Sequence, residues 1–202
     1  MTPTHLFFDI GGVLGNNGWD REQRSSAIRR FGLDAEDYER RHEDVVGTFE
    51  AGKMTLDEYL DATVFFQERP FSREDFKAFM LAQSVPFPDS IQVARELARA
   101  GGHVLMTINN ESAELNGHRL RSFGLIPLFT AFFSSCWVGA VKPSRRIYEV
   151  ARDVSQADPG RSVFIDDRPQ NLTPAAALGM RTILFKDAGQ LRRDLAALGV
   201  SA

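Results

Sequence analysis

Leu6-Phe7-Phe8-Asp9-Ile10-Gly11-Gly12-Val13-Leu14 is the stretch from which the rest of the chain is read. A short, uninterrupted apolar run of this kind marks a strand buried on both faces of a parallel sheet. The run breaks at a carboxylate, Asp9, and then at two glycines. Open α/β sheets bind ligands beyond the carboxyl ends of their strands, so this strand delivers Asp9 to the edge where chemistry is expected. Gly11 and Gly12 allow a tight turn and let backbone approach a bound group with no Cβ in the way. An aspartate held there is a candidate nucleophile or metal ligand. The plainer alternative is a turn or helix cap after an ordinary strand.

From Asp89 onward, helix and strand alternate. The pattern predicts a helix over 90–100 closed by Gly101-Gly102, a strand from His103 to Ile108, a helix over 112–122 and a third strand from Ala131 to Cys136. Ile147, Val150, Ala151 and Val154 fall at i, i+3, i+4 and i+7, marking an amphipathic helix that starts near Ser144. Strands from Ser162 to Asp166 and from Arg181 to Phe185 follow, with a helix between them and a last helix near 190–198. Such alternation implies an α/β fold, a parallel sheet with helices on both faces.

Residues 15–86 read differently, as helices without a convincing strand. One helix runs to Phe31 and stops at Gly32, and a charged one opens at Asp34 and runs toward Val46. Thr55-Leu56-Asp57-Glu58 is a capping box followed by a stripe of Leu56, Tyr59, Leu60 and Val64. Ser72 to Asp75 repeats the cap signal, and Pro86 and Pro88 close the block. The expected organisation is a core from residues 1–14 and 87–202 with an all-helical insert over 15–86. An insert that long is usually functional, and this one starts directly after the glycine turn, so it should hang over Asp9.

Composition narrows the class. A chain of 202 residues with sixteen phenylalanines can fill a sizeable core, and 24 basic against 27 acidic side chains leave a net charge near −3. With no long run of either sign, neither a nucleic-acid surface nor a membrane-binding helix is expected. The lone cysteine, Cys136, has no partner for an internal disulfide, which fits a reducing compartment. Met1-Thr2-Pro3-Thr4-His5 lacks the basic-then-apolar pattern of a signal peptide, so a cytoplasmic location is expected.

The remaining candidates also sit at predicted strand ends: Thr107-Ile108-Asn109-Asn110 after the second strand, Lys142 before the helix at Ser144, and Asp166-Asp167-Arg168 with Asn171 after the fourth. Adjacent carboxylates repel unless a cation is present, and oxygen ligands suit Mg²⁺. Asp9, an amide cluster, one lysine and an acidic pair therefore form a plausible anion-plus-metal site. Singly, each has an ordinary alternative: Lys142 a solvated lysine, the acidic pair a turn, the asparagines a loop start. Trp19 either packs in a core or faces the site, Arg168 reads as a surface residue, Cys136 as a small packed side chain, and the four histidines carry no assignment.

Asp9-x-Gly-Gly-Val-Leu, Asn109-Asn110, Lys142-Pro143 and Asp166-Asp167, in this order, resemble the haloacid-dehalogenase-like hydrolase superfamily over nearly the whole chain. Residues 15–86 occupy the place of its helical cap. Within it the chain looks most like phosphatases with an Asp-x-Gly-[Gly/Asn]-Val motif, some of which act on sugar phosphates. The resemblance implies a Rossmann-like five-stranded parallel sheet of order 3-2-1-4-5 and a Mg²⁺-dependent phosphatase acting on a small phosphate ester. Asp9 would be nucleophile and metal ligand, the Gly11 carbonyl and Asp167 further ligands, and Lys142 the conserved lysine. Asn109 would stand where the family has serine or threonine, with Thr107 as its fallback; Gly11, Asn109, Asn110 and Lys142 would border the substrate.

One departure bears on mechanism. Most phosphatases of the superfamily carry a second aspartate two positions after the nucleophile, where this chain has Gly11. Losing a general acid costs on the order of 10²–10⁴ in rate, so substrates with good leaving groups, such as aryl phosphates or sugar 1-phosphates, are expected to be favoured. Dehalogenase-like chemistry and a non-catalytic phospholigand binder are the competing readings.

Overall fold

The computed structural model describes residues 2–200. The Leu6–Phe8 run lies in β1 (His5–Phe8), the central strand of a five-stranded parallel sheet. It is flanked by β2 (Val104–Asn109) and β4 (Ser162–Asp166), with β3 (Ala131–Ser134) and β5 (Arg181–Leu184) at the edges, in the order β3-β2-β1-β4-β5. Phe8 is in register with Thr107 and Ile165, and the Asp9 amide continues the ladder to the Ile165 carbonyl at 2.9 Å. The side chain of Asp9 therefore leaves β1 at the same edge at which β4 ends in Asp166.

Alternation along β1 divides its side chains between two layers. Leu6 and Phe8 pack with Val163, Ile165 and Ile183 against helices α5 (Pro88–Ala100) and α10 (Ala188–Ala197) through Ile91, Ala94, Leu97, Leu191 and Leu195. Phe7 and Phe164 face the opposite layer, meeting Ile147, Tyr148 and Ala151 of α8 (Arg145–Ser155) and Ala175 of α9 (Pro169–Ala177). Removing each such side chain from water contributes about 1.5–3 kcal/mol, so the uninterrupted apolar strand is what holds both layers together.

Between β1 and α5 the chain folds into α1 (Arg21–Phe31), α2 (Ala35–Glu50), α3 (Leu56–Thr63) and α4 (Arg73–Ala82), and the described residues from 20 to 82 contain no strand. The local signals act as expected: Asp34 and Ser72 accept from Asp37 and Asp75 backbone N–H groups, Thr55 and Glu58 form a reciprocal capping box, and Gly32 ends α1 at φ 61°. These helices share an aromatic core in which Phe31 lies 4.6, 4.8 and 5.4 Å from the rings of Phe71, Phe76 and Phe79. Leu115 of α6 (Ala113–Ser122) joins the same cluster from the sheet side.

Two of the boundaries that differ from the sequence reading lie beside the sheet edge. Helix α2 does not end near Val46 but continues through Gly47 to Glu50. A glycine costs a helix about 1 kcal/mol, which the stacking of Phe49 on Tyr59, with centroids 4.3 Å apart, offsets. Strand β3 stops at Ser134 rather than Cys136, because Ser135–Val138 turns into a short helix, α7. The Ser135 hydroxyl there donates to the Glu50 carbonyl at 2.6 Å and accepts from the Glu111 N–H at 3.0 Å, tying α2 to the end of β2. Among the described residues, no helix is long and apolar enough to cross a membrane.

Candidate active site

Asp9 is buried at the end of β1, and its Oδ1 accepts from the Ile10 N–H at 2.7 Å. Its Oδ2 lies 2.8 Å from the Lys142 ammonium, which also donates to Asp166 Oδ2 at 2.7 Å. Asp166 accepts further from the Asn171 amide, 3.1 Å to each oxygen, and from the Arg168 N–H at 2.8 Å. Asn110 sets the lysine's place: its Oδ1 accepts from the Lys142 N–H at 2.7 Å and its Nδ2 donates to the Lys142 carbonyl at 3.0 Å. The segments that follow β1, β2, α7 and β4 are thus locked into one charge cluster.

Oxygens of Asp9, Asp166 and Asp167 all lie within 4.8 Å of one another, a spacing that can hold a metal ion. Asp167 Oδ1 is buried with no hydrogen-bond partner, and an orphaned carboxylate oxygen beside two other carboxylates calls for a cation. Gly12 makes room for it. At φ 76° the Gly12 backbone passes against Asp167 so closely that a Cβ would collide with the carboxyl group. Gly12→Ala should displace Asp167 and cost about 1–3 kcal/mol, read as a lower urea midpoint; unchanged stability and unchanged metal affinity would contradict this packing. Gly11 is less constrained: a Cβ there would come closest to Asn17 Oδ1, at 3.0 Å.

The electrostatics follow from burial. Loss of hydration pushes the Asp9 carboxyl up to about 7, opposed by the Lys142 ammonium and assisted by Asp166. Asp167 is also raised, by burial and then by Asp166. Both shifts describe carboxylates that bind a proton readily when no cation is present.

Asp9 and Lys142 open onto a cavity of about 410 Å³, bordered also by Gly11, Asn110, Pro143, Arg168 and Asn171 from the sheet side. Trp19, Asp20, Arg24, His42 and Glu50 close it from the helical side. Trp19 both packs in the aromatic core and lines the cavity, donating its indole N–H to the Tyr59 hydroxyl at 3.1 Å. The same hydroxyl lies 2.9 Å from His42 Nδ1. Burial and Arg24 bring the His42 pKa down to about 4, so its ring is neutral at pH 7 and offers its other nitrogen as a neutral polar group.

Of the residues expected from sequence, Asp9, Gly11, Asn110 and Lys142 come together at this cavity, with Asp167 beside Asp9. Asn109 does not border it. It is 1% exposed, its amide donates to Asn116 Oδ1 at 3.0 Å and its carbonyl accepts from Ser134 Oγ at 2.9 Å, a buried network that braces the end of β2. Thr107 is buried with it. Arg168 is exposed, as read from sequence, and also borders the cavity in an ion pair of 2.9 Å with Asp20. Cys136 lies in α7 rather than at a strand end, and burial pushes its thiol up to about 12, which makes it a poor nucleophile. His42 and Glu50 had no sequence signal; the helix carrying Glu50 reads as ending four residues earlier.

A parallel sheet in this order, with an aspartate after its first strand and a lysine bridging it to an acidic pair, defines a class of hydrolase. The family model for haloacid dehalogenase-like hydrolases matches residues 3–179, and the chain belongs to that family. It is 28% identical over 225 residues to phosphatase MT3486 of Mycobacterium tuberculosis, covering 98% of this chain and 96% of that protein. It is 26% identical over 207 residues to bifunctional epoxide hydrolase 2 of Sus scrofa, covering 93% of this chain. The chain spans only 37% of the pig epoxide hydrolase and 22% of its Rattus norvegicus counterpart. Among solved structures, a HAD family enzyme of Bacteroides thetaiotaomicron in complex with magnesium and inorganic phosphate superposes with a TM-score of 0.77 at 22% identity, covering 91% of this chain and 94% of that one. This likeness shows the fold.

Proposed function

We propose that the chain is a Mg²⁺-dependent phosphatase acting on a small phosphorylated metabolite, sugar phosphates among the candidate class, through an aspartyl-phosphate on Asp9. Residues 15–86 serve as a cap over a core of residues 1–14 and 87–202. The observation that carries this reading is the Lys142 ammonium held between Asp9 and Asp166, with the unpartnered oxygen of Asp167 beside them. The phosphatase name of the Mycobacterium relative and the magnesium and phosphate bound in the Bacteroides structure point the same way.

Asp9, the Gly11 carbonyl and Asp167 would hold Mg²⁺, with Asp166 holding Lys142. The metal, when bound, supplies positive charge that offsets the phosphoryl oxygens and keeps Asp9 ionised. The chain's own groups do the rest. Asp9 attacks phosphorus through the oxygen that Lys142 orients, and the ammonium stabilises charge gathering on the transferred group. Asn110 keeps that ammonium in place through the loop backbone. Asn109 supports β2 from behind in this reading, without touching phosphate.

Turnover of an aryl phosphate with Mg²⁺ and with chelator, together with mass-spectrometric trapping of a phosphoryl adduct on the Asp9 peptide, tests the assignment. Metal-independent halide release would favour dehalogenase chemistry, and binding of phosphate esters without turnover a non-catalytic binder. A separate readout concerns the metal alone. Mg²⁺ at about 100 times its Kd should stabilise the protein by about 2.7 kcal/mol, seen as a rise in Tm that Asp167→Asn reduces. An unchanged Tm at millimolar Mg²⁺ would remove the metal from this reading.

A further inference from the structure

Phosphate transfer to Asp9 leaves an oxygen that needs a proton, and hydrolysis of the aspartyl-phosphate releases one from water. Gly11 has no side chain to serve either step. Three carboxyl side chains line the cavity: Asp9, Asp20 and Glu50. Asp9 is bound to Lys142, and Asp20 is bound to Arg168 and caps α1. The Glu50 carboxyl makes no hydrogen bond or ion pair among the described residues, although its backbone is anchored by Ser135 at 2.6 Å. Two residues on, Gly52 lies so close to the Cys136 carbonyl that no Cβ would fit, so the end of α2 is pressed onto α7. A free carboxyl on a fixed support thus faces the same cavity as the nucleophile.

We propose that Glu50 is the proton donor to the leaving oxygen and, in the second half of the cycle, the proton acceptor from water. The assignment rests on the phosphatase reading. In the first step Asp9 forms a bond to phosphorus, the bond from phosphorus to the leaving oxygen breaks, and the Glu50 proton passes to that oxygen, releasing an alcohol. In the second, water attacks phosphorus, the Asp9–phosphorus bond breaks, and Glu50 takes the water proton as hydrogen phosphate departs. Both steps balance, and Glu50 ends as it began.

The surroundings suit a group that must both give and take a proton near neutrality. Burial pushes the Glu50 carboxyl up to about 7, and Glu111 and Asp20 raise it, while Arg168 and Lys142 pull it down. Glu50 projects from the helical segment, so proton transfer is available only when that segment sits over the sheet edge. Primary alkyl phosphates then become substrates despite the bare Gly11.

Glu50→Gln, which keeps the side chain's volume and breaks no hydrogen bond or ion pair, tests the assignment against a primary alkyl phosphate and a nitrophenyl phosphate. Wild type should show kcat/KM for the alkyl ester falling above about pH 7. The variant should lose on the order of 10²-fold or more on that ester and lose the alkaline limb. With nitrophenyl phosphate, whose leaving group needs no acid, the variant should give a stoichiometric burst of nitrophenolate followed by slow turnover, because the phosphoryl-enzyme lacks its base. An unchanged alkyl-to-aryl ratio with an unchanged pH profile would overturn the role of Glu50 while leaving the phosphatase reading intact. A wild type without Mg²⁺-dependent turnover of either ester would overturn both.

Discussion

Asp9→Asn should lower turnover of every phosphate ester by at least about 10⁴-fold and, in metal-free protein at pH 8, leave stability equal to or above that of wild type. The rate loss follows because a neutral amide cannot attack phosphorus, and removal of a nucleophile is not made up by the groups around it. The stability effect has the opposite sign because the charge on Asp9 is costly. Its pKa of about 7 in the folded protein stands above the 3.8 of an ordinary aspartate. Between these values the folded state binds more protons than the unfolded one, so the Asp9 contribution to stability is present below about pH 4 and declines as pH rises through 7. Asparagine has no such decline, while Lys142 keeps Asp166 as a partner. Urea unfolding at pH 5 and pH 8 without metal should therefore converge at the lower pH and separate at the higher one. Residual turnover within tenfold of wild type would remove Asp9 from the nucleophile's role.

Lys142→Met should be damaging in both respects. The ammonium is almost fully buried between two carboxylates, and truncating one partner of such a cluster leaves uncompensated charge at about 3–5 kcal/mol. The loss should be largest at alkaline pH and shrink on acidification, as Asp9 protonates. Added Mg²⁺ should recover part of the lost stability by bringing positive charge to the same carboxylates, while turnover should stay low, since the proposed mechanism has Lys142 donating to the phosphoryl group. Losing such a donor costs about 10²–10³ in rate. A variant as stable as wild type at pH 8 without metal would mean that the charge cluster around Lys142 needs another description.

The placement of Asp9, Lys142 and Asp166-Asp167 at one sheet edge was legible because it is local. In Leu6–Leu14 the apolar run states where β1 lies, and the carboxylate and glycines after it state where it ends, so Asp9 needs no information from elsewhere in the chain. The same holds for Asp166-Asp167 after an apolar strand and for Lys142 ahead of the helix capped by Ser144. Alternation of these units then leaves a parallel sheet as the economical arrangement.

What the sequence could not supply depends on which side chains meet across elements. Residue periodicity says that a position is buried, not what it touches. Asn109 and Asn110 look alike in sequence, yet one braces β2 through Asn116 and Ser134 while the other pins the Lys142 loop, because adjacent residues leaving a strand point to opposite sides. Glu50 reaches the cavity because α2 runs past Gly47, where Phe49 stacks on Tyr59, and His42 reaches it because tertiary packing turns that face of α2 toward the sheet edge. Arg168 is drawn in by Asp20 from the helical segment, a partner 148 residues away. The sequence by itself determined the sheet, its order through family resemblance, and the charges at its edge. Only tertiary packing decided what closes over that edge, because the Glu50 carboxyl on one helix and Asp9 at the end of β1 border one cavity only when the chain between them folds back.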